Sequence, residues 1–287
     1  MNNLKYFIQF LAISFLFIIY KLIGLKYSTI ISSKILQIFG PLFRSNDICH
    51  KNLSLVFPEL SKLEREEIIK KMWSNYGQIL AEYMFMRDFR NSKILSDNIV
   101  IENIEQLYVI KKSSKPVIFI SGHFNNFELM AMCIEKSGIN LAAIYRPLNN
   151  WFLNPLMENI RRKYICKNQI KKGLSGTKEI LKHFKSGDSI ALMIDQRVSQ
   201  GIPSNLFNQK ALTTTIPAQF VKKYAANVVP IYIERSNGNN FKIKVYKMIE
   251  FTENETIDSI TQNLNHILEK MIAKNPSQWI WTHNRWK

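Results

Sequence analysis

The stretch FISGHFNNFELM, residues 119–130, holds the side chains best suited to chemistry. An apolar run, Val117-Ile118-Phe119-Ile120, leads into Ser121-Gly122-His123, and Glu128 follows five residues later. An imidazole titrates near neutrality, so it can take a proton and return it. A carboxylate on one ring nitrogen fixes the tautomer and leaves the other nitrogen as a base. Five residues of regular helix turn through roughly 500°, so His123 and Glu128 share no helical face. They meet only if His123 lies in a turn after a strand and points back across the first turn of the next helix. A helix-capping histidine beside a solvated glutamate would fit the same residues, and spacing alone leaves both readings open.

The elements around this stretch must supply that geometry. From residue 115 the pattern alternates. PVIFI, LAAIYR, SIALMID, NVVPIYIER and FKIKVYKMIEF read as strands. NFELMAMCIEKSG, NPLMENIRRKY, TKEILKHFKSG, TIPAQFVKKYAA and residues 256–274 read as helices. Such alternation predicts an α/β fold with a mostly parallel central sheet flanked by helices. His123 then sits beyond the C-terminal end of a buried strand, the edge of an open sheet where ligands bind. The free N–H groups at the following helix start are candidates to hold an oxyanion. Arg146 ends LAAIYR, and Asp195 and Gln196 end SIALMID, so all three belong to the same edge. Arg146 is a candidate to hold a phosphate or carbonyl, or else a surface arginine paired with Glu158 or Asp195. Asp195 and Gln196 would position the site or an acceptor, or simply close a turn. Upstream, Ser61 and Glu64 form a capping box that opens an amphipathic helix carrying Ile68, Met72, Trp73, Tyr76, Ile79, Leu80 and Tyr83.

The chain has 287 residues, 46% of them apolar, and a formal charge of +17 from 39 Lys+Arg against 22 Asp+Glu. That excess predicts anionic partners, and it also reflects a composition rich in Lys, Asn and Ile. Cys49, Cys133 and Cys166 form neither a CxxC pair nor a zinc spacing, which predicts reduced thiols and no metal. There is no Gly-x-Ser-x-Gly elbow, phosphate loop or dinucleotide fingerprint, so neither a serine hydrolase nor a cofactor is expected. No nucleic-acid signature is present, so no nucleic-acid partner is expected. Residues 6–20 carry no charge, with Lys5 before them and Lys21, Lys26, Lys34 and Arg44 after. As helix they reach roughly 22 Å, and about 30 Å if extended to Leu25, near the thickness of a bilayer core. No small-x-small cleavage site follows, which favours an anchor over a signal peptide. The following basic residues place the rest of the chain on the cytoplasmic side. The predicted organisation is an anchor at 1–26, a helical membrane-associated portion at 27–110 and a catalytic region at 111–287. The ending, PSQWIWTHNRWK, suits a membrane interface, or tryptophans packed under the sheet.

H-x4-E after an apolar strand resembles the H-x4-D/E motif of glycerolipid acyltransferases. HFNNFE is more closely similar to the H-F-G-N-W-E stretch of the bacterial lipid A late acyltransferases. NLSLVFPEL, IYRPLNN, Asp195-Gln196, ALTTT, ANVVPIYIER and the terminal PSQWIWTHNRWK follow that family's order over nearly the whole chain. The resemblance implies a glycerolipid-acyltransferase-like fold and transfer of an acyl chain from an acyl carrier protein thioester to a hydroxyl of a lipid A precursor. It implies His123 as general base oriented by Glu128, with Asn126, Arg146, Asp195 and Gln196 toward substrate. The implied partners are acyl carrier protein, an anionic lipid acceptor and the lipids of the bacterial inner membrane. The family's glycine is replaced by Asn125, its DQ is followed by Arg197, and Asn208-Gln209 replaces its Phe-Gly. These departures lie around the expected acyl and acceptor pockets. Another acceptor (a lysophospholipid, amino lipid or glycolipid) fits the same chemistry. The reading from a different class is a non-enzymatic basic membrane-binding protein.

Overall fold

The computed structural model describes residues 2–113 and 115–287. Its N-terminal part is helical. α1 (Asn2–Phe43) is interrupted at Gly24, whose φ of 81° lies where a side chain is strained. α2 (Asn46–Val56) follows, then α3 (Lys62–Glu82), opened by the expected Ser61/Glu64 capping box. The outer half of α1 packs on α3 at very close range. A Cβ on Gly77 of α3 would stand 2.2 Å from the Ser32 carbonyl oxygen of α1, and one on Gly40 would stand 2.3 Å from the Trp73 ring. Backbone cannot yield as a flexible side chain does. Gly77→Ala is therefore expected to cost about 1–3 kcal/mol, read as a lower midpoint in denaturant unfolding; an unchanged midpoint would mean the helices separate freely.

Short elements join this layer to the sheet: α4 (Met86–Asn91), α5 (Lys93–Ser96), β1 (Ile99–Glu102) and α6 (Glu105–Ser113). Then come β2 (Ile118–Ser121), α7 (Glu128–Lys136), β3 (Leu141–Tyr145), α8 (Asn154–Ile160), β4 (Asn168–Lys171), α9 (Leu174–Lys185) and β5 (Ser189–Met193). A hairpin, β6 (Ile202–Leu206) with β7 (Gln209–Thr213), precedes α10 (Ile216–Tyr224), β8 (Val228–Asn237), β9 (Asn240–Val245) and α11 (Ile257–Lys274). The main sheet runs β1-β9-β8-β2-β5-β3-β4 and is parallel except where β9 returns beside β8. All four residues of β2 are buried, as a central strand covered on both faces requires. The fold is thus the expected α/β sheet flanked by helices, with a long apolar helix at the N-terminus.

Four strands escape the sequence reading. β1, β4 and the β6–β7 pair are four or five residues long and mix polar with apolar positions, so their periodicity is faint. β1 also draws the sheet back before residue 111, where the catalytic region was expected to begin. FKIKVYKMIEF holds a strand only to Val245. The terminal tryptophans do not face outward: Trp279 and Trp281 are fully buried, packed edge-to-face at 4.7 Å. The membrane-interface reading of that ending is corrected, because its indoles fill the core below the C-terminal sheet edge.

Candidate active site

β2 and β5 are parallel neighbours with Ser121 opposite Met193, and the Ile194 N–H donates to the Ser121 carbonyl at 2.9 Å. Two residues beyond each strand end stand His123 and Asp195. Register alone brings them side by side. Asp195 is fully buried and its carboxylate accepts three hydrogen bonds. His123 Nδ1 lies 2.8 Å from Oδ1, the His123 backbone N–H donates to Oδ2 at 2.7 Å, and Trp279 Nε1 donates to Oδ2 at 2.9 Å. A carboxylate offers only acceptors, so Nδ1 carries the proton and Nε2 holds the lone pair. Nε2 has no hydrogen-bond partner among the described residues. The ring packs edge-on against Phe127 at 5.0 Å.

Burial alone would lower the His123 pKa, but the carboxylates of Asp195 and Glu128 outweigh it and raise the imidazole above its ordinary 6.5. Burial pushes Asp195 up, but attraction to the His123 imidazolium, then the His123 and Trp279 hydrogen bonds, bring it below the usual carboxylate value. His283 adjoins the pair. Its Nε2 accepts from the Arg197 N–H at 2.9 Å, and burial foremost lowers its pKa, so it stays neutral.

The expected partner of His123 was Glu128, and this is corrected: the bond to Nδ1 comes from Asp195. Glu128 opens α7 and is committed elsewhere. Its Oε1 accepts from the Tyr83 hydroxyl and from Arg161 Nε at 2.8 Å. Arg161 Nη2 donates to the Tyr83 oxygen at 3.0 Å, and the guanidinium lies over the Tyr83 and Tyr145 rings at 5.9 and 5.5 Å. Burial, then Glu128, raises the Tyr83 pKa and keeps it a donor. Arg161 Nη1 is buried with no hydrogen-bond partner among the described residues, beside the carboxylate that helps to raise His123. Removing one partner of a buried pair strands the other's charge, at a cost of about 3–5 kcal/mol. Glu128→Ala is thus expected to unfold at a markedly lower temperature, and Glu128→Ala/Arg161→Met to recover part of the loss. A double variant less stable than the single one would show that the pair is not an electrostatic unit.

Asn126, expected toward substrate, is fully buried, and its amide donates to Glu82 Oε2 at 2.7 Å. Its NH2 is thereby committed to a brace, while its Oδ1 is buried with no hydrogen-bond partner among the described residues. Asn125 has a φ of 40°, the left-handed region that a glycine takes without strain and asparagine tolerates. It too is buried, bonding Asn75 and Gln278 at 2.8 Å each. Arg235 ties this cluster together, donating to Glu82 at 2.6 Å and to Asn125 at 3.2 Å. Asn125 therefore shapes the loop that presents His123. Asn208 sits with positive φ in the β6–β7 turn, so that departure is conformational as well.

The N–H groups expected to hold an oxyanion are mostly taken: those of Phe124, Asn125, Phe127, Leu129 and Met130 reach backbone carbonyls, and that of Asn126 reaches the Asn125 side chain. Arg146 is exposed at the end of β3 and Gln196 is half-buried, and neither has a hydrogen-bond partner among the described residues. Glu158 instead accepts from Tyr145 at 2.6 Å and from Asn154 at 2.8 Å. Sequence reasoning missed Tyr83, Arg161 and Trp279. The first looked like packing on an amphipathic helix, the second was one residue of a helix with no role assigned, and the third belonged to an ending read as membrane interface or as packed under the sheet.

The sequence model for bacterial lipid A biosynthesis acyltransferases matches residues 1–287. The chain is 26% identical over 262 residues to a lipid A biosynthesis acyltransferase of Haemophilus influenzae, covering 87% of this chain and 82% of that one. It is 25% identical over 258 residues to the lipid A biosynthesis palmitoleoyltransferase of Escherichia coli K12, covering 86% and 80%. With the lauroyltransferase of the same organism it shares 25% over 251 residues, covering 85% and 79%. A solved 1-acyl-sn-glycerophosphate acyltransferase from Thermotoga maritima superposes with a TM-score of 0.44 at 9% identity, over 90% of this chain and 100% of that one.

Proposed function

The chain belongs to the bacterial lipid A biosynthesis acyltransferases, and from that premise we propose that it moves a fatty acyl chain from an acyl carrier protein thioester to a hydroxyl of a lipid A precursor, with His123 as general base. It is an O-acyltransferase; the donor, the mechanism and the placement are our reading. The observation that carries the mechanism is the free Nε2 of an imidazole whose Nδ1 is held by buried Asp195. Nε2 takes the acceptor's hydroxyl proton as its oxygen attacks the thioester carbonyl carbon. The tetrahedral oxyanion collapses, the C–S bond breaks, and the thiolate leaves with the proton returned by the imidazolium. Asp195 positions the ring and stabilises its charged form. Glu128, at the start of α7, holds Arg161 in place.

The charge of +17 supports an acidic carrier as donor and a phosphorylated lipid as acceptor, both steered by a basic surface. α1 is long and apolar enough to cross a membrane, and it supports attachment to the inner membrane with the sheet on the cytoplasmic side. The base must be neutral to act, and its pKa is raised. The rate kcat/KM is therefore expected to rise with pH through an inflection above 6.5 and to be lost below it. An inflection at or below 6.5 would contradict the carboxylate's hold on the ring.

The test is transfer by membranes containing the full chain, with labelled acyl–acyl carrier protein and a phosphorylated glycolipid precursor. Labelled acylated glycolipid is the expected product. If only a coenzyme A thioester supports transfer, the donor reading fails. If the folded protein transfers to lysophospholipid instead, the acceptor reading fails.

A further inference from the structure

We propose that Lys172, together with Arg146, forms a phosphate-binding subsite beside His123, and that it reads a phosphate ester on a substrate, foremost one on the head group of the acceptor lipid. The inference rests on the acyl-transfer reading above for its substrate, and on strand register for its geometry.

β2, β5, β3 and β4 are parallel and in register: Ser121 opposes Met193, Ala143 opposes Ala191 and Tyr145 opposes Lys171. They therefore end together, on the edge that carries His123. Arg146 and Lys172 are the next residues of β3 and β4. The pairing continues one step past the strands, since the Lys172 N–H donates to the Tyr145 carbonyl at 2.8 Å. The two cations thus stem from neighbouring positions, about 5 Å apart. Both are exposed, and neither side chain makes a hydrogen bond or an ion pair among the described residues. The other charges nearby are engaged. Glu158 accepts from Tyr145 and Asn154 and holds Lys171 Nζ at 3.5 Å. Arg197, beyond β5, donates from Nε to the Lys287 carbonyl at 3.2 Å.

Unpaired lysines are common on a chain of charge +17, and position sets this one apart. Burial lowers the His123 pKa and the Asp195 and Glu128 carboxylates raise it above 6.5; the Lys172 ammonium works against them, and it also adds to the burial that lowers His283. Its charge therefore reaches across the site. The strand order β2-β5-β3-β4 puts Arg146 two strand spacings from His123 and Lys172 three, roughly 10 and 14 Å along the sheet. The reach of the two side chains shortens that span to the width of a sugar ring. A hydroxyl at Nε2 and a phosphate on the same head group can then be seated together, the phosphate on a point charge and a planar fork of donors. The phosphate of a carrier's phosphopantetheine arm offers the same chemistry from the donor's side. Seating a phosphate also cancels a charge that weakens the base, so binding itself strengthens His123.

The first readout needs no turnover. Membranes containing the full chain are acetylated with an N-hydroxysuccinimide ester, and peptide mapping follows Lys172 against Lys185, exposed at the far end of α9. The ligands are a phosphorylated glycolipid precursor, the same lipid dephosphorylated, S-acyl-4′-phosphopantetheine and S-acyl-pantetheine. The expected result is that the phosphorylated glycolipid shields Lys172 and not Lys185, and that the dephosphorylated lipid shields neither. Shielding by the acyl-phosphopantetheine alone would keep the subsite and place its phosphate on the donor. Equal shielding with and without phosphate, or none by any ligand, would overturn the proposal. Shielding without any acyl transfer would sink the acyl-transfer reading and leave the subsite standing. The second readout is kinetic, at a pH where His123 is neutral. Lys172→Gln should lower kcat/KM for the phosphate-bearing substrate about 10- to 100-fold, mainly through KM. Lys172→Arg should retain most of it, and the loss on the phosphate-free substrate should be much smaller. Equal losses on both substrates would mean a structural lysine and overturn the proposal too.

Discussion

His123→Ala is expected to lower kcat/KM for acyl transfer by about 10²–10⁴, the range that general-base assistance supplies. The chain should remain folded and attached to membranes. The His123 side chain is 22% exposed and spans no packing layer. Its removal leaves Asp195 with two donors, the residue 123 backbone N–H and Trp279 Nε1, so the buried carboxylate is not stranded. Residual transfer should lose the inflection above 6.5, because the imidazole that remains nearby, His283, is held below its ordinary value by burial. Transfer near the wild-type rate would end the mechanism, whatever the family.

Asp195→Asn should cost as much as the upper end of that range, on the order of 10⁴ in kcat, as the equivalent change does in the Ser-His-Asp triad. The physical reason is the tautomer. The carboxylate accepts from two backbone and ring N–H groups and from an indole. An amide has one oxygen, and its NH2 cannot accept. If that oxygen serves the backbone N–H and Trp279, the NH2 faces Nδ1 and drives the proton to Nε2, where the lone pair is needed. The variant also removes an attraction that raises the His123 pKa, so any residual activity should show its inflection at lower pH than the wild type. Glu128→Gln supplies the contrast. It keeps an oxygen for Arg161 and Tyr83 and leaves the His123–Asp195 bond untouched, so its loss in kcat should be much smaller. The reverse order, a severe loss in Glu128→Gln with Asp195→Asn spared, would return the orienting role to Glu128.

The sequence by itself determined the edge on which His123 stands, the place from which we propose it acts as base. An apolar run that stops at Ser121-Gly122 can only be a buried strand ending at solvent, and the histidine beyond it lies where parallel strands open onto ligands. It also determined the α/β class, the long apolar N-terminal helix and the family, because strong periodicity and motif order survive without three-dimensional information. Arg146, Asp195 and Gln196 were legible as strand-end residues for the same reason. The tertiary structure decided the partners. That Asp195 meets His123 follows from β5 lying next to β2, with 72 residues between the bonded groups, and no local pattern encodes strand order. Glu128 looked like the partner because it is near in sequence, yet Arg161 claims it across 33 residues. Trp279 reached the site only because the chain's end folds under the sheet. Local sequence specifies what a residue can do and which element carries it. Hydrogen-bond geometry between distant elements specifies which of several capable residues does it.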